Sequence, residues 1–255
     1  MTDAEYARSI EEWRVKEQAA LHGFPSVLAA IARHELPVGE RVRVGPAGDI
    51  RLAEMDRTVV IEALRDGFLV DGEPSAPRAV DAGRYALRLS HQGYPAVVVL
   101  DRKARRRDAE LRWYPVDPGL RAHGRLEPDG SPVEISSTAS PARRAQRAGW
   151  FVFALDGATH RLAVTRLLEP GVPEGQLDAY FRDATTGRGS YEVGRYVTVE
   201  RDEGGAVVDF NLAYNPACAL SPCYNCPIPP QENRLAVAIR AGEMTPLVGP
   251  APVHG

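Results

Sequence analysis

The sequence predicts a mainly β fold: antiparallel β-sandwich or barrel-like sheets behind one N-terminal amphipathic α-helix. Three observations lead there. Short runs of β-branched and aromatic residues recur between Gly, Pro and Asp turns. Glycine and proline number 23 and 21 of 255 residues, above the roughly 12% combined share of an average chain, so turns must be frequent. Only the opening two dozen residues sustain a helical period.

That opening segment reads as a helix over residues 1–24. Thr2 and Glu5 have capping-box spacing, in which hydroxyl and carboxylate each satisfy a free amide of the first turn. Tyr6, Ile10, Trp13, Ala20 and Leu21 follow at helical intervals, with Glu11, Glu12, Arg14 and Lys16 on the other faces. Gly23, Phe24 and Pro25 then form a stop.

Residues 25–125 read as a β-rich N-terminal half. After an apolar stretch from Val27 to Ile31, expected to be helical, strands are predicted at Arg41–Val44, Thr58–Leu64, Gly67–Val70 and Tyr85–Leu89. Ala96–Leu100 is continuously apolar and so predicts a central strand. Residues 126–149, rich in Pro, Ser, Ala and Arg, read as a connecting segment. The C-terminal half, 150–246, offers strands at Trp150–Leu155, His160–Leu168, Tyr191–Glu200, Ala206–Ala213 and Arg234–Ala241, with 247–255 as a tail.

Net charge is −3 and the isoelectric point about 6.1, which gives no general attraction to nucleic acid or anionic membrane. The basic run Arg102, Lys103, Arg105, Arg106 and Arg107 has no interleaved aromatics and reads as a solvated loop. No apolar run approaches membrane-spanning length, and the acidic start Met1-Thr2-Asp3-Ala4-Glu5 does not read as a secretory signal. The expectation is a soluble, cytoplasmic protein with a small-molecule ligand, no nucleic-acid or membrane partner, and a homodimer left open.

Catalytic signatures are missing from the sequence: no Walker loop, dinucleotide glycine fingerprint, Gly-x-Ser-x-Gly elbow or His-Glu-x-x-His. Histidines 22, 34, 91, 123, 160 and 254 have no metal-ligand spacing, and the sequence names no metal or cofactor. Chemistry concentrates instead between Asp209 and Asn233. Prolines there forbid a regular strand or helix, while Asn, Tyr and Cys side chains can replace the missing backbone hydrogen bonds. Such a segment is either a rigid loop closing the sheet or the wall of a pre-organised pocket.

The motifs Phe181-Arg182-Asp183, Tyr191-Glu192-Val193-Gly194-Arg195-Tyr196, Asn215-Pro216-Ala217-Cys218, Cys226-Pro227-Ile228-Pro229-Pro230, Glu232-Asn233-Arg234-Leu235 and Ala241-Gly242-Glu243 resemble the domain-of-unknown-function 1684 family of bacterial proteins. Upstream, Trp113-Tyr114-Pro115-Val116-Asp117 and the Gly45 to Leu52 turn resemble it more loosely, so the similarity reaches nearly the whole chain. Three features depart from the pattern. Ser190 stands where threonine is usual, Phe24–Leu36 is a reduced form of a Trp- and Gly-rich stretch, and Cys223 adds to the usual cysteine pair. The resemblance implies a fold and a site location and no established reaction.

Within these motifs Arg195 and Asp183 are read either as an internal ion pair fixing two strands or as an anion clamp centred on Arg195. On the second reading Tyr191, Asn211, Tyr214, Asn215 and Asn233 complete a polar pocket, and Glu232 is a general acid or base if burial raises its pKa. Cys218 and Cys226 are candidate nucleophiles. With Cys223 they could offer thiolates to zinc, and as a default they are inert buried thiols. Three functional readings follow: a small-molecule-binding protein, which could also be an enzyme, whose pocket is walled by residues 209–233 and holds an anionic or polar metabolite; a metal- or thiol-dependent enzyme centred on the cysteines; and a non-catalytic scaffold.

Overall fold

The computed structural model describes residues 1–104, 108–139, 141–202 and 204–249. Helix α1 (Asp3–Leu21) starts at Thr2 with both halves of the capping box in place. Its buried face is Tyr6, Ile10, Arg14 and Leu21, whereas Ala20 is exposed. Arg14 was placed off the apolar face. It is buried because its Nη2 donates to the Tyr114 carbonyl at 2.9 Å and its guanidinium lies over the Trp113 ring. The Val27–Ile31 stretch is only one 3₁₀ turn, Val27–Ala29, before the first strand begins. An apolar run of five residues does not by itself distinguish helix from strand.

The N-terminal half contains β1 (Ala30–Glu35), β2 (Arg41–Gly45), β3 (Ile50–Arg51), β4 (Val59–Leu64) and β5 (Gly67–Val70). It continues with β6 (Glu73–Ser75), β7 (Ala79–Ala82), β8 (Tyr85–His91) and β9 (Pro95–Asp101). They form one sheet in the order β1-β9-β8-β7 and another in the order β3-β2-β4-β5-β6. The two pack face to face, with Val44, Ile61 and Phe68 of one against Leu87, Leu89, Val97 and Val99 of the other. Every residue of β9 is buried, as its unbroken apolar run predicts. Val97 and Val99 enter the sandwich, while Val98 and Leu100 on the opposite face meet Tyr224 and Cys226 of the proline-rich segment.

The C-terminal half adds β10 (Arg121–Pro128), β11 (Pro132–Ile135), β12 (Arg143–Leu155), β13 (Ala158–Leu167), β14 (Asp178–Phe181), β15 (Arg195–Asp202) and β16 (Gly205–Asp209). Six of them close an antiparallel barrel in the order β10-β16-β15-β14-β13-β12 and back to β10, and β11 extends the sheet beside β12. Closure depends on glycine. Gly124 pairs with both Phe153 and Ala206, and a Cβ there would stand 2.3 Å from the Val152 carbonyl oxygen. At Gly149 a Cβ would stand 2.4 Å from the Glu127 oxygen. The interior is filled by alternate residues of the strands, among them Phe151, Phe153, Leu162, Val164, Val197 and Val208.

Several sequence expectations need correction here. Residues 126–149 hold the end of β10, all of β11 and the start of β12, because pairing on the barrel overrides a loop-like composition. Residues 191–194 form a turn rather than the start of a strand, and the strand expected at 206–213 ends at Asp209 in a 3₁₀ turn, Phe210–Leu212. The stretch from Arg234 to Ala241 is not a strand: one bridge, Arg182↔Arg234, is its only ladder contact among the described residues. Some of its backbone groups meet the main chain, as where the Ala184 amide donates to the Val237 carbonyl, and others go to side chains, as described next. The basic residues Arg105, Arg106 and Arg107 lie outside the described residues.

Candidate functional site

Strand parity sorts the arginines of the central motifs. Val197 and Val199 of β15 point into the barrel, so Arg195, two residues earlier, also points inward at the barrel's end. Phe181 of β14 points inward, and Asp183 continues that parity past the strand. Arg195 and Asp183 therefore meet as a plug, with guanidinium and carboxylate 3.5 Å apart and the Arg195 side chain 1% exposed.

Both groups are then consumed by the strap 239–243. Arg195 donates from Nη1 to the Ala241 and Glu243 carbonyls and from Nη2 to the Ile239 carbonyl. The Asp183 carboxylate accepts from the Ile239 amide at 2.6 Å and from the Thr185 and Thr186 hydroxyls. Ser190, in the place where threonine is usual, keeps a hydroxyl 2.9 Å from that of Thr185, so this departure leaves the polar network intact. Burial lowers the Arg195 pKa, and the Asp183 charge opposes that shift.

Arg182, one residue out of phase with Phe181, faces the other way. Its bridge partner across a short parallel contact is Arg234, which sets the two side by side. Together with Arg188 from the following loop they line an open cleft of about 560 Å³ at the barrel mouth. Thr186 and Glu192 line the same cleft. Among the described residues, none of the three arginines has a carboxylate within ion-pair distance, and Arg182 spends one donor, Nε, on the Val193 carbonyl at 2.8 Å. Arg188 and Arg234 are exposed. Three guanidiniums around one concavity suit an oxyanion, which each can engage in bidentate fashion. These arginines were missed as candidates, although Arg182 and Arg234 stand inside quoted motifs. Alternation from Phe181 was the signal that could have singled out Arg182.

A second polar centre sits in the proline-rich segment. The Cys218 amide donates to Cys226 Sγ at 3.3 Å, the Cys226 amide donates to Thr138 Oγ1 at 3.0 Å, and the Tyr191 phenol lies 4.0 Å from Cys218 Sγ. Cys226 Sγ thus sits against the backbone of Cys218. A hydrogen bond from Cys226 brings the Cys218 pKa down to about 7 against the opposing effect of burial, with the Tyr191 and Thr138 hydroxyls adding to the lowering. The Cys226 thiol, donating its proton and buried, moves upward. Cys218 is partly open to solvent, and all three cysteines are free thiols. Among the described residues no three His, Cys, Asp or Glu side chains are grouped to hold a metal.

The remaining predicted residues do not converge on one pocket. Asn233 is fully buried, accepting from the Ala163 amide at 2.7 Å and donating to the Ala163 and Tyr180 carbonyls, so its side chain fills the gap where β13 and β14 part. Asn211 bonds Tyr6, Asp209 and both backbone groups of Asp117, holding α1 to the barrel. Asn215 anchors the strap: its amide donates to Glu243 Oε2 and its Nδ2 to the Met244 carbonyl. Burial raises the Glu243 pKa to about 7, with the Asn215 amide opposing. Tyr214 lines a separate groove of about 260 Å³ under α1, whose charged lining, Glu200 and Asp209, is acidic. Glu232 is exposed and paired with Arg147, so the burial that general acid–base work would need is not present.

The fold is a β-sandwich joined to a six-stranded antiparallel barrel with a plugged mouth, and the family motifs are divided between that mouth and the seam with the sandwich. The family model described as "Protein of unknown function (DUF1684)" matches residues 108–244, and the chain belongs to this family. The match is narrower than the near-complete resemblance expected, because the whole N-terminal sandwich, β1 to β9, lies outside it. The solution NMR structure of an uncharacterized protein from Haloarcula marismortui is 33% identical, over 53% of this chain and 76% of that one, with a TM-score of 0.44. No curated protein matches.

Proposed function

We propose that the protein binds a small oxyanion-bearing metabolite, a carboxylate or phosphate ester, in the cleft of Arg182, Arg188 and Arg234. The observation that carries this reading is the convergence of three guanidiniums, free of ion pairs among the described residues, on one open concavity. Unpaired like charges repel one another, and an anionic ligand relieves that repulsion while meeting planar donors. The acidic groove under α1 offers an anion nothing comparable. None of residues 209–233 lines the cleft, although the turn Gln231–Asn233 that ends this segment leads directly into Arg234 beside Arg182. Three free cysteines fit a reducing compartment, such as a bacterial cytoplasm, as the setting.

Thermal unfolding at low ionic strength tests the reading, with inorganic phosphate and succinate as probes and chloride at equal ionic strength as control. Wild-type Tm should rise by a few degrees and saturate with phosphate or succinate, as expected for a ligand that binds only the native state. The double variant R188A/R234A, altered at two exposed positions, should fold normally and lose the rise. A wild-type Tm indifferent to both anions, or an equal rise in the double variant, overturns the proposal.

A further inference from the structure

We infer that Cys218 and Cys226 form a hydroperoxide-reactive dithiol site, with Cys218 as the attacking sulfur and Cys226 as the resolving one. The site is separate from the arginine cleft and stands on its own geometry. Cys218 is partly open to solvent, whereas Cys226 is 4% exposed and lies directly behind it, its sulfur 3.3 Å from the Cys218 amide. The Tyr191 phenol lies 4.0 Å from Cys218 Sγ, and the Thr138 hydroxyl fixes the Cys226 backbone by accepting from its amide. An open thiol held against a buried one, with donors to support a thiolate, has the parts that two-step peroxide reduction requires.

The steps balance. Cys218 thiolate attacks one oxygen of a hydroperoxide, ROOH; the S–O bond forms, the O–O bond breaks, and ROH leaves with the proton that the thiol gave up. The product is the Cys218 sulfenic acid. Cys226 sulfur then attacks the Cys218 sulfur, the S–S bond forms, and hydroxide departs with the Cys226 proton as water. Two thiols and one hydroperoxide become one disulfide, one alcohol and one water. The peroxide is reduced by two electrons and the sulfurs are oxidised by two. Cys226 packs with Ala86, Val98 and Leu100 of the N-terminal sandwich, so the disulfide would form at the seam between the two β-structures.

Hydrogen peroxide titration of the folded full chain, read by peptide mass mapping, tests the inference. One equivalent should convert the wild type to a single Cys218–Cys226 disulfide, leaving Cys223 reduced. In C226S, dimedone should label Cys218 as its sulfenic acid. Iodoacetamide at pH 7 should alkylate Cys218 on the order of tenfold faster than Cys223, and Tyr191→Phe should move the midpoint of that rate to higher pH. Should C226S fail to fold, the wild-type disulfide map still decides the question. Three thiols that resist peroxide until the chain is denatured, or oxidation falling on Cys223 as fast as on Cys218, would overturn the inference.

Discussion

Glu243 shows how one buried residue gives the molecule a pH dependence. Its carboxyl is 5% exposed, accepts from the Asn215 amide, and titrates at about 7 because burial disfavours the charge. The folded value lies above the ordinary glutamate value of 4.5, so between these two values the native state holds a proton that the unfolded chain has released. Its stability contribution is therefore complete below the unfolded value and is lost as pH rises through about 7. Glu243→Gln keeps an acceptor for Asn215 and removes the titration. The unfolding free energy of this variant from urea titration should exceed wild type by about 3 kcal/mol at pH 8 and converge with it near pH 4. Parallel pH curves for the two proteins would show that Glu243 does not titrate as described. At the same scale, Arg195 and Asp183 resolve in favour of architecture. Every hydrogen bond they make goes to strap backbone or neighbouring hydroxyls, and Arg195 retains only Nε without a partner.

Among the elements, α1 depends on a polar contact as much as on its apolar face. The Tyr6 phenol donates to the Asp209 carboxylate at 2.7 Å and accepts from Asn211 Nδ2 at 2.9 Å, and these bonds join the first element to the end of β16. Tyr6→Phe keeps the ring and removes the hydroxyl, leaving Asn211 and Asp209 each short of a partner. The expected loss is about 1–3 kcal/mol in chemical denaturation, with faster hydrogen exchange in α1 than elsewhere. A loss spread evenly over all amides would contradict so local an effect. The helix itself was legible from Thr2, Glu5 and the spacing of Tyr6, Ile10 and Leu21, because capping and periodicity are local properties. That Arg14 and not Ala20 faces the body was not legible, since the Tyr114 carbonyl it meets lies 100 residues away in sequence.

For the whole molecule, the proline-rich segment works as mortar between sandwich and barrel. Arg143 of β12 forms a buried ion pair with Glu169, and the Glu169 carboxylate also accepts from the Gly93 amide after β8. Burial opposes the Arg143 charge, but its bonds to Glu169 prevail and raise its pKa. Asn225 bonds Gln92 and the Ala139 amide from the same junction. Removing one member of a buried pair leaves the other charge unpaired, typically at a cost of about 3–5 kcal/mol. Arg143→Ala should therefore lose about that much, and its calorimetric trace should split into sandwich and barrel transitions where the wild type shows one. A single, merely shifted transition would mean that the seam does not couple the two structures.

The sequence by itself determined what depends on neighbours in the chain. It placed the capped helix, the short strands between turns, the fully buried β9, and the 209–233 segment whose side chains replace backbone partners. It also carried the motifs that mark the family. Only the tertiary structure decided that the C-terminal strands close into a barrel, that Arg195 is a plug while Arg182, Arg188 and Arg234 are open, and that 234–241 is a strap rather than a strand. Those outcomes depend on which residues meet across the barrel. Arg182 and Arg195 carry the same guanidinium, and a shift of one residue in strand parity puts one at the lining of an open cleft and the other inside.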